Sequence, residues 1–327
     1  MTGSDRPRDP VESNGRTNRY EVTDWESRTR LDAVAETVHG GLTRSARWGV
    51  ILLALLTFVA QLGLVTSALW YRPTLGILTV ASVVPAFLLA GAIWYGNPTM
   101  REPVWPLSVT FLLSVLFASF AATLNGALQP LVTALPFVGM VVFFFLVVGP
   151  IEETVKWLAV RLHAYRGDDF DAVIDGAVYG AVAGLGFATI ENALYISKVL
   201  FDSGTIALSG GFGQMLSVAT QRAFVGPGHV LYSAIAGYYL GLAKFNPDDR
   251  GPIVVKGLLI AAGIHATYNS LASNLPYDVF GGGIAFVAFV LLFDGLVGYF
   301  LYRKLSRYRA AYDEVSSTNE SDAVSAD

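Results

Sequence analysis

Cysteine is absent from the 327 residues, which excludes a disulfide framework, a thiolate nucleophile and a cysteine zinc site. Charge is scarce as well: Asp, Glu, Lys and Arg make up 15% of the chain, against about 25% in an ordinary soluble domain. Histidine occurs only four times and no HExxH is present, so the strongest helical zinc-site signature is missing. No internal repeat is evident. The first 47 residues are polar and Arg-rich, with no apolar segment of the kind that opens a secretory signal peptide. The first apolar run is therefore expected to act as its own insertion signal.

What the chain has in abundance is apolar length. Hydrophobic residues account for 53% and the mean hydropathy is +0.50, which together predict an all-α, polytopic membrane helix bundle. About 20 apolar residues cross a bilayer core as a helix, and eight such runs can be marked: near Trp48 to Trp70, Pro73 to Tyr95, Val104 to Leu124, Val138 to Tyr165, Ala172 to Leu200, Met215 to Ala243, Pro252 to Ala272 and Gly281 to Tyr302. Lys and Arg set orientation. With the amino terminus inside, all of the 22 except Arg72, Lys198 and Arg222 fall on the inner side, and an even number of spans puts both termini there. Residues 1–46 read as a largely disordered cytoplasmic tail with one amphipathic piece, Trp25 to Val38. Residues 47–303 read as the transmembrane bundle and 304–327 as a second cytoplasmic tail, in a multi-pass protein of the cell membrane.

Spans one to three hold almost no ionisable residue and read as scaffold. From Val138 onward every span carries a polar group. The fourth contains Glu152 and Glu153 side by side, although one carboxylate at mid-bilayer costs about 2.5 to 3.5 kcal/mol on insertion scales. Lys156 follows at a spacing that reaches Glu152 (i, i+4) or Glu153 (i, i+3). Glu191 and Asn192 lie in the fifth span, His229 in the sixth, and His265 with Asn269 in the seventh, where four residues of separation place the last two on one helix face. The glycine stripes Gly176, Gly180, Gly184 and Gly237, Gly241 are packing surfaces that let helix backbones approach closely. Gly226-Pro227-Gly228 is expected to break or kink the sixth span. Asp175 and Asp294 are read as structural, and His39 and His163 as lying outside the site.

Two carboxylates and two imidazoles, with neither cysteine nor a serine triad, suggest hydrolysis by an activated water. Glu would be the general base, and His or Asn would stabilise the tetrahedral oxyanion. The same groups could instead form a His/Glu metal site in which zinc acidifies the water, and spacing does not decide between these. Intramembrane acids and imidazoles also build proton relays, so a proton-coupled transporter is an alternative, as is a non-catalytic scaffold on the same fold.

In order along the chain, EETVK (Glu152 to Lys156), GLGFATIEN (Gly184 to Asn192), HVLYSAIAGYYLG (His229 to Gly241) and HATYN (His265 to Asn269) resemble the PrsW family of intramembrane proteases, related to CAAX- and bacteriocin-processing glutamate proteases. The resemblance covers residues 138–271 and marks them as a protease core. It implies cleavage of a membrane-tethered protein substrate, with Glu152 and Glu153 acting on the water and His265 the principal histidine. By the same resemblance Glu191 and His229 complete the polar cavity, with Lys156, Asn192 and Asn269 in support. If a metal is used, the resemblance points to His229, His265 and Glu191 as ligands and to zinc as the ion. The partners implied are that substrate and the lipid bilayer, with no nucleic acid and no set oligomeric state. CAAX-type relatives carry FxxxH where this chain has Phe187 to Glu191, which argues against prenyl-protein processing.

Overall fold

The computed structural model describes residues 25–42, 47–97, 101–135, 138–202, 211–273 and 282–325. Among these residues every regular element is helical, the form in which a chain surrounded by lipid satisfies its own backbone. The order is α1 (Arg30–Leu42), α2 (Arg47–Tyr71), α3 (Thr74–Tyr95), α4 (Val104–Thr133), α5 (Gly139–Phe143), a π-helical turn (Phe144–Val148), α6 (Gly149–Leu162), a 3-10 turn (Ala164–Arg166), α7 (Val173–Asp202), α8 (Gly211–Phe245), α9 (Arg250–Ala272) and α10 (Gly282–Ser325). Five of them, in α3, α4, α7, α9 and α10, are long and apolar enough to cross a membrane.

Burial ranks the helices. The apolar window of α7 is 89% buried, against 17% for α3 and 22% for α10, so α7 is the central post and the other two are peripheral. Ile77, Val80, Leu88, Leu291 and Leu292 project outward from the peripheral pair, as a lipid-facing surface requires.

The glycine stripes hold α7 against α8. A Cβ at Gly176 would lie 2.1 Å from the Gly237 carbonyl oxygen, one at Gly180 2.2 Å from that of Ser233, and one at Gly184 2.3 Å from that of His229. From the other side, a Cβ at Gly241 would lie 2.1 Å from the Val173 oxygen. The two backbones touch over several turns, which only glycine permits. Gly149 does the same at the start of α6, where a Cβ would come within 2.6 Å of the Ala262 oxygen of α9.

The expected break at Gly226-Pro227-Gly228 is not present. α8 runs unbroken from Gly211 to Phe245 with Pro227 inside it. Its close packing on α7 supplies the tertiary support that lets membrane helices carry proline.

Two helices close the expected cytoplasmic face. The amphipathic piece expected at Trp25 to Val38 is helical only from Arg30, as part of α1, which extends to Leu42, and it is docked. Thr29 and Asp32 form a reciprocal cap, in which Thr29 Oγ1 accepts from the Asp32 N–H and the Asp32 carboxylate accepts from the Thr29 N–H at 2.6 Å. Asp32 then pairs with Lys256 of α9 at 2.5 Å, with both side chains buried. Residues 1–24 and 43–46 of the expected tail lie outside the described residues. Residues 304–325 of the other expected tail continue α10, with Tyr308 and Tyr312 buried and the Arg309 guanidinium donating to the Gly96 carbonyl.

Candidate active site

Glu152 and Glu153 are adjacent on α6 and turn to different environments, as a helical step of about 100° dictates. Glu153 is fully buried. Its Oε1 accepts from Lys156 Nζ at 2.7 Å and lies 2.9 Å from His265 Nδ1, while Ser233 Oγ is 3.4 Å from Oε2. Of the two partners open to Lys156, the structure selects Glu153.

Glu152 faces a cavity of about 610 Å³ that is also lined by Asn125, Glu191, His229, His265 and Asn269. Glu153 and Lys156 do not line it. Asn125 Nδ2 donates to Glu152 Oε1 at 3.0 Å. The other oxygen, Oε2, is buried, has no hydrogen-bond partner and lies 3.7 Å from His265 Nε2.

The partners fix the imidazole tautomers. A lysine ammonium has only donors, so Lys156 Nζ, 2.9 Å from His229 Nδ1, makes Nδ1 an acceptor. The His229 proton then sits on Nε2, 2.9 Å from Glu191 Oε2. For His265 the acceptor is Glu153, so Nδ1 carries the proton and the Nε2 lone pair is directed at Glu152. The two rings meet edge to face at 5.2 Å. Phe187 closes the inner side, 5.3 Å from the His229 ring and 4.2 Å from Lys156 Nζ.

Glu191 also pairs with Arg222 of α8, whose Nε donates to Asn192 Oδ1 at 2.8 Å. Asn192 in turn donates to Ser82 Oγ of α3 at 3.0 Å. Asn192 therefore supports the site through Arg222, which the sequence marks only as one of the three outer-side cations. Ser82 lies within a span that reads as scaffold, and Asn125 one residue beyond the marked end of another, so neither stands out in the sequence. Asn125 did leave a signal, as a lone carboxamide in the run AATLNGAL. Asn269 lines the cavity one turn beyond His265. Asp175 and Asp294 lie elsewhere: Asp175 accepts the backbone N–H of Asp171 and Ala172 at the start of α7, and Asp294 accepts from the Tyr232 hydroxyl at 3.3 Å.

Among the described residues, the group whose ligand atoms converge is Glu152, His229 and His265, each offering an atom within 4.8 Å of the others. The carboxylate in that group is Glu152 rather than Glu191, which stands behind His229 as its hydrogen-bond partner. Two imidazoles, one carboxylate and an orphaned buried oxygen fit a divalent metal such as zinc. Both His229 nitrogens are engaged, Nδ1 by Lys156 and Nε2 by Glu191, so a metal held there would replace one of those contacts.

Residues 102–296 match the family model described as PrsW family intramembrane metalloprotease. Protease PrsW of Bacillus subtilis (strain 168) is 29% identical over 199 residues, covering 60% of this chain and 82% of the relative. Protease PrsW of Oceanobacillus iheyensis is 29% identical over 190 residues, or 58% and 80%. That of Geobacillus kaustophilus (strain HTA426) reaches 36% over 128 residues, covering 39% of this chain and half of the relative. No solved structure matches.

Proposed function

This chain belongs to the PrsW family of intramembrane proteases, and from that premise we propose that it cleaves a membrane-tethered protein with Glu152 as the residue that activates water. The observation that carries the proposal is the unpartnered Glu152 Oε2, buried beside the cavity 3.7 Å from the His265 Nε2 lone pair. A water held by both would lose a proton to Glu152 while its oxygen attacks the scissile carbonyl. The Asn269 amide, on the cavity wall, is the group available to stabilise the oxyanion. Collapse breaks the C–N bond, and Glu152 returns its proton to the leaving amine.

Glu153 orients His265 from behind the cavity, and Lys156 ties Glu153 to His229. Glu191 and Arg222 hold the far side of His229. Where a zinc ion is used, Glu152, His229 and His265 would hold it, and it would supply Lewis acidity and an acidified water. The proton relay of a transporter is less well served, because Glu152 Oε2 and His265 Nε2 open on one cavity while Glu153, Lys156, His229, Glu191 and Arg222 are bonded in a chain among themselves.

The test is reconstitution with a panel of single-span substrates. Glu152→Gln and His265→Ala should each lower cleavage at least about 100-fold while the protein stays folded. Full cleavage by Glu152→Gln would remove that residue from the mechanism. Chelator treatment with metal analysis on the same preparation separates zinc chemistry from glutamate chemistry.

The same reading takes α2, α3, α4, the α5–α6 run, α7, α8, α9 and α10 as eight crossings of the cell membrane with both termini inside. The chain has no native cysteine, so single substitutions report sidedness directly. Arg166→Cys should react with an impermeant maleimide only after the inner face is opened, and Arg72→Cys from outside. The reverse pattern would invert the topology.

A further inference from the structure

Beyond Glu152 and the histidines, the cavity wall includes two polar side chains from α4, Asn125 and Gln129, and Asn125 is the one bonded to Glu152. Asn125 Nδ2 donates to Glu152 Oε1 at 3.0 Å. No other side chain hydrogen-bonds Glu152 within the described residues, and the contact decides which of its two oxygens is engaged. A carboxylate on a free χ3 presents either oxygen, because that torsion is broad and two-fold. Pinning Oε1 to an amide on another helix leaves Oε2 directed at His265 Nε2. Asn125 Oδ1 is itself buried and unpartnered, so the amide contacts Glu152 through its donor end. That orientation suits a carboxylate, which can only accept.

From this geometry we infer that Asn125 is a positioning residue for catalysis: it clamps Glu152 Oε1 so that Oε2 is the oxygen presented to water or metal. The inference rests on the proposed role of Glu152. Asn125 acts through Glu152, as outer-shell carboxamides act on the ligands and bases they orient. The clamp also ties α4 to α6 across the cavity wall. A shift of α4, for instance when a substrate segment lodges beside Ala122 and Gly126 on the same wall, would therefore be felt at the reacting oxygen.

The experiment is a double-mutant cycle on the full-length protein in lipid, with Asn125→Leu, Glu152→Gln and the pair. Thermal unfolding is followed in parallel, and Asn125→Ala replaces the Leu variant if that one does not fold. The expected result is a fall in kcat of about 10- to 100-fold for the Asn125 variant with KM within about twofold, the range seen when outer-shell partners are removed. Zinc affinity, measured by competition with a chelating dye, should weaken over the same range if the protein binds zinc. In the pair the Asn125 substitution should add no further loss to Glu152→Gln, since the group it positions is already disabled.

Two results overturn the inference while leaving Glu152 in place: wild-type kcat in a folded Asn125 variant, or losses that multiply in the pair. Wild-type cleavage by Glu152→Gln alone is a different failure. It removes the role of Glu152, and this inference falls with it.

Discussion

His265 receives Glu153 on one side of its ring and presents the other side to Glu152: Glu153 Oε1 lies 2.9 Å from Nδ1 while Glu152 Oε2 stands 3.7 Å from Nε2. Adjacent residues of one helix thus occupy opposite sides of one imidazole, and only Glu152 reaches the cavity. The two carboxylates should then differ when neutralised. Glu153→Gln keeps the shape and can still accept a hydrogen bond through its amide oxygen, so cleavage should fall about 10- to 100-fold, as for an outer-shell partner. Glu152→Gln should fall further, by about 100-fold or more. Initial rates on one reconstituted substrate decide the order, and a larger loss in Glu153→Gln would exchange the two roles.

Lys156 is the only cation bonded to Glu153 among the described residues, and it is 1% exposed. Replacing it by Met leaves a buried carboxylate facing an apolar side chain, a change that costs on the order of 3 to 5 kcal/mol. Pairing it with Glu153→Gln removes the orphaned charge, so the double variant should recover most of that stability. It should not recover activity, because His265 has lost its anionic partner. Thermal unfolding in detergent gives the coupling; additive effects of the two substitutions would show that the pair is not energetically linked.

Much of this architecture can be read from the residues because the bilayer imposes it. Apolar runs of the required length mark the helices, and Glu152, Glu153, Glu191, His229 and His265 are legible because polar side chains at that depth are expensive and rarely idle. The glycine stripes announce the α7–α8 contact by their spacing. The assignment of oxygens is not legible. Whether Lys156 takes Glu152 or Glu153, and which carboxylate joins the histidines, depends on how α6 is rotated against α9, a quantity set by Gly149 against Ala262 and by the π-helical turn before it. Asn125 was passed over because one amide in a long apolar helix is cheap enough to be incidental. The continuity of α8 through Pro227 depends on α7 packing against it, which no local rule contains.

The seam between α7 and α8 sets the position of His229, since the Gly184 Cα packs on the His229 carbonyl. A methyl at Gly180 would sit 2.2 Å from the Ser233 oxygen, and backbone cannot yield as a flexible side chain can. Gly180→Ala should therefore separate the helices, destabilise the fold by roughly 1 to 3 kcal/mol and reduce cleavage through misplacement of His229. Gly91→Ala is the control, because its Cβ would meet nothing within 4 Å. It should be neutral or stabilising by up to about 1 kcal/mol. Equal effects of the two substitutions on thermal unfolding would refute close backbone packing at the seam.

A buried pair of acids lies away from the catalytic cavity, where the connection before α4 meets the start of α7. Asn97 Nδ2 donates at 3.3 Å to both Glu102 Oε1 and Asp175 Oδ1, and all three residues are buried. Burial, then the nearby Asp175 charge and a hydrogen bond to Asp175, push the Glu102 carboxyl up to about 10, against the pull of the Tyr179 hydroxyl and with a smaller push from Asp169. Asp175 is the natural ionised member, since it accepts two backbone N–H groups at the α7 terminus. Glu102 is then the proton carrier between the two acids. Its folded-state pKa lies above the unfolded value, so its contribution to stability is complete below about pH 4.5 and is lost progressively as pH rises toward about 10. Wild-type protein in detergent should therefore show a Tm that declines between pH 6 and pH 9.5. Glu102→Gln has an NH2 that can replace the carboxyl proton, and it should flatten the decline and melt higher than wild type at the alkaline end. The same slope in both proteins would place the titrating group elsewhere and leave Glu102 ionised beside Asp175.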